Sequence, residues 1–238
     1  MEYQQVLPAV FVERPNRFVA ICMLEGEQVA AHVKNTGRCR ELLTPGAFVF
    51  LQYHPAAGRK TQYTLTHVKK GDRLVHMDSQ APNRLLEEAL RQRKLVLPGL
   101  GMPDIIRPEA FYGESRFDFY LEAGEKRAFA EVKGVTLEEN GWARFPDAPT
   151  ERGVKHLRHL ARAAVEGYLC YVVFVIQMSG IRGFSPNWKT HPAFGEALLQ
   201  AREAGVIPLA FETEVLPRRV ELAGSVEIDY TKGREKSC

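Results

Sequence analysis

Asp118, Glu131 and Lys133 are the residues whose types and spacing carry the clearest chemistry. They lie in SRFDFYLEAGEKRAFAEVKGVTL, residues 115–137, which reads as a β-hairpin. In the first arm Phe117, Phe119 and Leu121 are expected on one face and Arg116, Asp118 and Tyr120 on the other. In the second, Ala128, Ala130 and Val132 alternate with Phe129, Glu131 and Lys133. Gly124-Glu125 suits a type II′ turn, so Ala123 faces Lys126 and, counting outward, Asp118 faces Glu131. Directly opposed Cβ atoms lie roughly 4.5–5.5 Å apart. Two carboxylates that close repel unless something neutralises them. Oxygen ligands suit Mg²⁺ or Mn²⁺, which would polarise a phosphate and activate a bound water, with the Lys133 ammonium beside it. The bland alternative is a solvated strand face.

The surrounding elements are those of an α/β sheet. Asn83 is expected to cap a helix to about Lys94, with Leu85, Leu86, Ala89 and Leu90 facing in. Thr150 is the expected N-cap of a helix to about Glu166. Its apolar stripe is Val154, Leu157, Leu160, Ala161, Ala164 and Val165; its other faces carry Arg152, Lys155, His156, Arg158, His159 and Arg162. YLCYVVFVIQ, residues 168–177, is a continuous apolar run, as in a strand covered on both faces. His191 to Ala204 reads as another amphipathic helix and VIPLAFETEV, residues 206–215, as another strand. Alternating helices and strands imply crossover connections. Asp with Glu-x-Lys on neighbouring strands resembles the PD-(D/E)-x-K nuclease superfamily, with Phe117 where the name has Pro.

The first third differs. Short strands at Gln5–Val12, Arg17–Leu24, Glu27–Val33, Ala47–Tyr53 and Tyr63–Val68 are separated by turn residues. Five such strands suit a small barrel, most simply an OB-fold. Arg14, Asn16, Arg17, Phe18, His32, Lys34, Asn35, Arg38 and Arg40 could line a nucleic-acid surface there, cations on phosphate and Phe18 on a base. The alternative is that Phe18 is core and the charges solubilise. A boundary is expected near Lys69–Pro82, giving residues 1–78 and 79–238 as two domains. Tyr230 to Cys238 is polar and expected to fray.

Composition is ordinary, with 45% hydrophobic and 26% charged residues. The net charge of +3 sits in residues 1–80, with ten Lys/Arg against seven Asp/Glu, while the remainder carries 22 of each. That is compatible with phosphate contact without being diagnostic. No apolar run reaches bilayer length and no signal peptide is seen, so a cytoplasmic location away from membranes is expected. Cys22, Cys39, Cys170 and Cys238 form no C-x-x-C pair and read as isolated thiols in a reducing compartment.

RPNRF (14–18), AHVKNTGRC (31–39), PNRLLEEAL (82–90), SRFDFYL (115–121), EVKGVTL (131–137), FPDAPTERGVKHLRHL (145–160) and GIRGFSP (180–186) together resemble the sugar fermentation stimulation protein A family. The resemblance implies an N-terminal five-stranded OB-fold β-barrel followed by a PD-(D/E)-x-K nuclease-like mixed sheet with flanking helices (α/β in its second half, α+β overall). It implies DNA binding and a link to regulation of sugar (maltose) utilisation. It places catalytic candidates on Asp118, Glu131 and Lys133 and metal candidates on Asp118, Glu131 and Glu87, Glu88 competing with Glu87. Arg152 and Lys155 join the barrel residues as DNA contacts. Glu151 and Arg152 open the helix, where capping is an equal reading for Glu151. The expected activity is a Mg²⁺- or Mn²⁺-dependent nuclease; the alternative is a non-catalytic DNA-binding regulator on the same scaffold. RNA is a further option, and a homodimer stays open.

Overall fold

The computed structural model describes residues 1–35, 37, 39–55 and 61–234. Strands β1 (Val6–Asn16), β2 (Val19–Leu24), β3 (Glu27–Val33), β4 (Phe48–Tyr53) and β5 (Tyr63–Lys70) form a closed five-stranded barrel. Antiparallel pairs run β3-β2-β1-β4-β5, and the parallel pairing of β3 with β5, Val33 opposite Leu65, closes it. β2 shows why the pattern was readable: its residues alternate between half-buried and buried, as a strand with one covered face must. The interior is filled by Phe11, Ala20, Cys22, Ala31, Val49, Leu51, Leu65 and Val68.

A sixth strand, β6 (Arg73–His76), pairs with β5, Val75 opposite Val68. It lies in the stretch read above as a polar boundary. His76, Met77 and Asp78 are nearly inaccessible there, so that stretch is a packed joint. Helix α1 (Ala81–Arg91) follows. Asn83 is not its cap: Gln80 holds that position, Pro82 occupies the first turn, and Asn83 lies inside the helix. Pro is tolerated there because its missing N–H would have no helical partner.

The second half is built on a six-stranded mixed sheet, β15-β14-β12-β9-β8-β7. Its members are β7 (Ile105–Tyr112), β8 (Ser115–Ala123), β9 (Lys126–Val135), β12 (Leu169–Ile176), β14 (Val206–Leu216) and β15 (Arg219–Ser225). β9, β12 and β14 are mutually parallel. β10 (Leu137–Glu139), β11 (Trp142–Phe145) and β13 (Gly183–Pro186) make a small side sheet. Helices α2 (Glu151–Val165) and α3 (Pro192–Glu203) complete the set. β12 is buried on both faces. Tyr171, Val173 and Val175 pack in the layer containing Leu85, Leu86 and Leu90 of α1. Cys170, Val172, Phe174 and Ile176 pack in the layer containing α2 and α3. Each such side chain contributes roughly 1.5–3 kcal/mol.

Barrel and sheet are joined by polar contacts. Gln177, just past β12, accepts at its carbonyl from His76 N and donates at its own N to Val135 O, both at 2.8 Å. The first residues of the chain pack on the second half, with Tyr3 N donating to Arg218 O at 2.8 Å. Tyr230 also packs: its carbonyl accepts from Trp188 Nε1 at 3.0 Å, and Lys232 and Arg234 lie over Trp142 and Trp188. The expected fraying therefore fails as far as Arg234, because these side chains find aromatic faces. Cys22, Cys39 and Cys170 are free and buried. Among the described residues no helix is long and apolar enough to cross a membrane.

Candidate active site

The β8–β9 hairpin turns at Gly124, whose φ of +59° suits the first central position of a type II′ turn. Ala123 pairs with Lys126 as expected, and the ladder runs to Phe119 opposite Ala130. It stops one pair short of the carboxylates. The strands splay there, and the Asp118 side chain substitutes for the missing partner. Its Oδ2 accepts from Val132 N and its Oδ1 from Asn83 Nδ2, both at 2.7 Å. The splay also corrects one expectation. Phe117 is not on the face of Phe119 and Leu121; it packs with Phe129 and Tyr112 in the opposite layer.

Gly134 explains how α1 reaches this point. A Cβ there would lie 2.7 Å from Pro82 Cγ and 2.8 Å from Gln177 Oε1. Only glycine lets the first turn of α1 approach β9 so closely, and that approach delivers Asn83 to Asp118.

Glu131 faces the other layer and is 3% exposed. Its Oε1 accepts from Lys133 Nζ at 2.6 Å and from His156 Nδ1 on α2. Its Oε2 is buried with no partner among the described residues. Arg152 Nε donates to His156 Nε2 at 3.4 Å. One turn further along α2, His159 Nδ1 meets the Ser115 hydroxyl on β8. Thus α2 holds β9 through His156 and β8 through His159, where the strands no longer hold each other. Thr150 caps α2 as expected, accepting from Gly153 N at 3.1 Å.

These surroundings push the two carboxyls apart. Burial and then the Glu131 charge raise the pKa of Asp118, only partly offset by the bonds from Val132 N and Asn83 and the charge of Lys133. Burial also pushes Glu131 upward, but the His156 hydrogen bond and the Lys133 charge outweigh it, and the net shift is downward.

Two carboxylates are a hard oxygen donor set, suited to Mg²⁺ or Mn²⁺ with water or phosphate completing the shell. The unpartnered Oε2 of Glu131 gives such an ion a buried lone pair to meet, so the residues fit it. The described residues contain no group of three or more His, Cys, Asp or Glu able to hold a metal. Glu87, one helical turn on from Asn83, binds Arg91 at 2.7 Å. Glu88 is turned away, bound to the Met1 amino group at 2.9 Å.

The DNA-binding candidates fall into separate groups. Arg14 clamps the barrel loops, donating to Gly37 O, Arg17 O and Asn35 O at 2.9, 2.7 and 2.7 Å. Asn16 Oδ1 accepts from Phe18 N and Val19 N and fixes the β1–β2 turn. Phe18 is 48% exposed, with Arg17 stacked over it. His32 is half-buried on β3 and Arg40 is exposed. Lys34 pairs with Asp78 at 3.3 Å. Asn35 is buried, its Oδ1 accepting from Gly37 N. Arg38 lies outside the described residues. Arg152 is exposed beside His156, and Lys155 pairs loosely with Glu114 at 3.8 Å. Glu151 is exposed and meets His191 Nε2 at 3.2 Å.

A cleft of about 350 Å³ lies where the barrel meets the second half. Asn35 and Gly37 line it from the barrel, and Gly134, Thr136, Asp147 and Thr150 from the second half. Asp118, Glu131 and Lys133 are not among the residues that line it.

Asn83, Gly134 and His156 are the participants that sequence reasoning did not assign to the site. His156 had a legible signal. Gly153, His156, Leu160 and Ala163 recur at helical spacing and all are buried.

Residues 80–219 match the family described as the sugar fermentation stimulation protein RE domain, and residues 12–77 the SfsA N-terminal OB domain. The chain is 51% identical over 233 residues to a sugar fermentation stimulation protein homolog of Desulfitobacterium hafniense (strain DSM 10664 / DCB-2), covering 98% of this chain and 100% of the relative. A homolog of the same description from Clostridium beijerinckii is 47% identical, over 96% of this chain and 99% of its own. A solved structure of Pyrococcus furiosus SfsA in complex with Ca²⁺ superposes with a TM-score of 0.85 at 30% identity, covering 96% of this chain and 98% of that one.

Proposed function

The chain belongs to the sugar fermentation stimulation protein family, and from that premise and the site geometry we propose that it is a DNA-binding, metal-dependent phosphodiesterase. The observation that carries the reading is the carboxylate pair, Glu131 buried and Asp118 half-buried, with one oxygen, Glu131 Oε2, left without a partner among the described residues. A buried carboxylate oxygen in that state is costly unless a ligand completes it. Asp118 and Glu131 Oε2 would hold Mg²⁺ or Mn²⁺, which supplies Lewis-acid polarisation of the scissile phosphate and a water of lowered pKa. The solved Pyrococcus furiosus relative is described in complex with Ca²⁺, another oxygen-seeking cation.

Lys133 Nζ, 2.6 Å from Glu131 Oε1, supplies positive charge where the phosphate gains negative charge. Asn83 fixes the Asp118 carboxylate and His156 fixes that of Glu131. Glu87 would act one turn away, through water. Arg152 and Lys155, exposed on α2, and Arg17 and Phe18 on the barrel would contact the DNA backbone and bases.

A non-catalytic DNA-binding regulator is the second reading, and one observation favours it. Lys133 is already engaged with Glu131, as in a structural ion pair. On that reading the link to sugar, and specifically maltose, utilisation would run through DNA binding alone.

Titrating Mn²⁺ into the wild type and Asp118→Ala by calorimetry, then incubating both with DNA, tests the proposal. The expected result is metal binding and cleavage in the wild type, with cleavage down at least about 10³-fold in the variant, since several kcal/mol of transition-state stabilisation depend on the ion. DNA binding without metal binding or cleavage would leave the regulator.

A further inference from the structure

Resting on the metal-site reading above, we infer that His156 is a positioning residue: with Arg152 fixing its ring, it holds Glu131 by Oε1 so that Oε2 is the oxygen presented to the metal. Three observations carry this. First, an arginine cannot give up its Nε proton to become an acceptor, so the contact from Arg152 Nε makes His156 Nε2 the acceptor. The ring proton then sits on Nδ1 and is donated to Glu131 Oε1. Second, the His156 side chain is only 8% exposed, and its ring packs edge-on against Phe117 at 6.2 Å between centroids, so it has little freedom to swing away. Third, both donors to Glu131, Lys133 and His156, converge on Oε1, and Oε2 receives none among the described residues. The carboxylate therefore has a held end and an open end.

The hairpin alone could not fix this geometry, because its ladder ends at Phe119 and Ala130. Lys133 shares a strand with Glu131 and moves with it. His156 is anchored on a different element and sets Glu131 against the rest of the fold. Hydrogen bonds to metal-holding carboxylates commonly govern affinity by 10–100-fold.

The test compares the wild type with His156→Leu, which removes the donor, and His156→Asn, whose side-chain amide restores a donor near the Nδ1 position. Mn²⁺ affinity is measured by calorimetry, DNA cleavage as separate kcat and KM, and folding by Tm. The ring tautomer is read from ¹⁵N NMR of the metal-free protein. We expect His156→Leu to weaken Mn²⁺ binding at least about 10-fold and lower kcat in parallel, with KM for DNA little changed. His156→Asn should recover most of both. The wild-type ring should be protonated at Nδ1. A His156→Leu protein that binds Mn²⁺ like the wild type, or a ring protonated at Nε2 alone, would overturn the inference while leaving the metal reading intact. A wild type that binds no Mn²⁺ would remove both.

Discussion

Asp78 and Glu138, at the joint between barrel and sheet, are compensated differently from Asp118 and Glu131, in the candidate site. Asp78 is 2% exposed and takes Lys34 Nζ at 3.3 Å, Arg84 Nη2 at 2.9 Å and Gln80 N at 2.9 Å. Glu138 takes Lys70 at 3.0 Å, Arg73 at 3.3 Å and the Gly141 N–H. Each joint carboxylate thus has two cations and a backbone donor. The site has two carboxylates and one lysine, with a histidine beside it. Asp118 makes no ion pair among the described residues, and Glu131 keeps one oxygen open. A fold able to satisfy two buried acids so fully at the joint leaves two others short of positive charge. That contrast separates acids that stabilise the fold from acids kept for a ligand.

Three measurements would break or sharpen it. The largest effect is expected at the joint. Asp78→Asn should cost about 3 kcal/mol in denaturant unfolding, since Lys34 and Arg84 lose their counter-charge while Gln80 N keeps an oxygen acceptor. A cost below that of an ordinary surface substitution would remove the distinction drawn here.

Acid should come next. His67 and His76 are fully buried at the joint, their rings 5.0 Å apart, and burial pushes both down from 6.5 to about 3. A depressed histidine contributes stability that is whole above 6.5 and is lost as pH falls toward 3. Each should therefore cost about 2 kcal/mol between pH 6.5 and about 5. His67→Leu should flatten that part of the profile; an unchanged slope would exclude His67 as a source.

The smallest effect has the opposite sign. Because Asp118 is raised, its ionised form burdens the metal-free fold at neutral pH, and protonation relieves it. Asp118→Asn should raise the metal-free Tm by about 2–4 °C, on the order of 1 kcal/mol, while abolishing metal binding. Val132 N keeps an oxygen acceptor and the Asn83 amide can flip to meet the new one. A lower Tm would place Asp118 with the joint carboxylates.

The comparison also shows what was legible beforehand. The barrel strands and the buried run of β12 were readable because period-two alternation and continuous apolarity are local signals. β6 was missed because Arg73 to His76 is short and polar, and it is a strand only because β5 and Gln177 supply partners. Asn83 was read as a cap because its type favours caps. Its actual role depends on an aspartate 35 residues away.

Sequence by itself determined the hairpin, its turn and its register as far as Phe119 opposite Ala130, because those follow from side-chain alternation and one glycine. Tertiary structure alone decided which carboxylate is raised and which lowered, and which oxygen stays open. Those outcomes depend on burial and on donors from α1 and α2, brought to the hairpin by packing across the sheet. Electrostatics at buried groups is set by neighbours in space, and no local pattern along the chain encodes them.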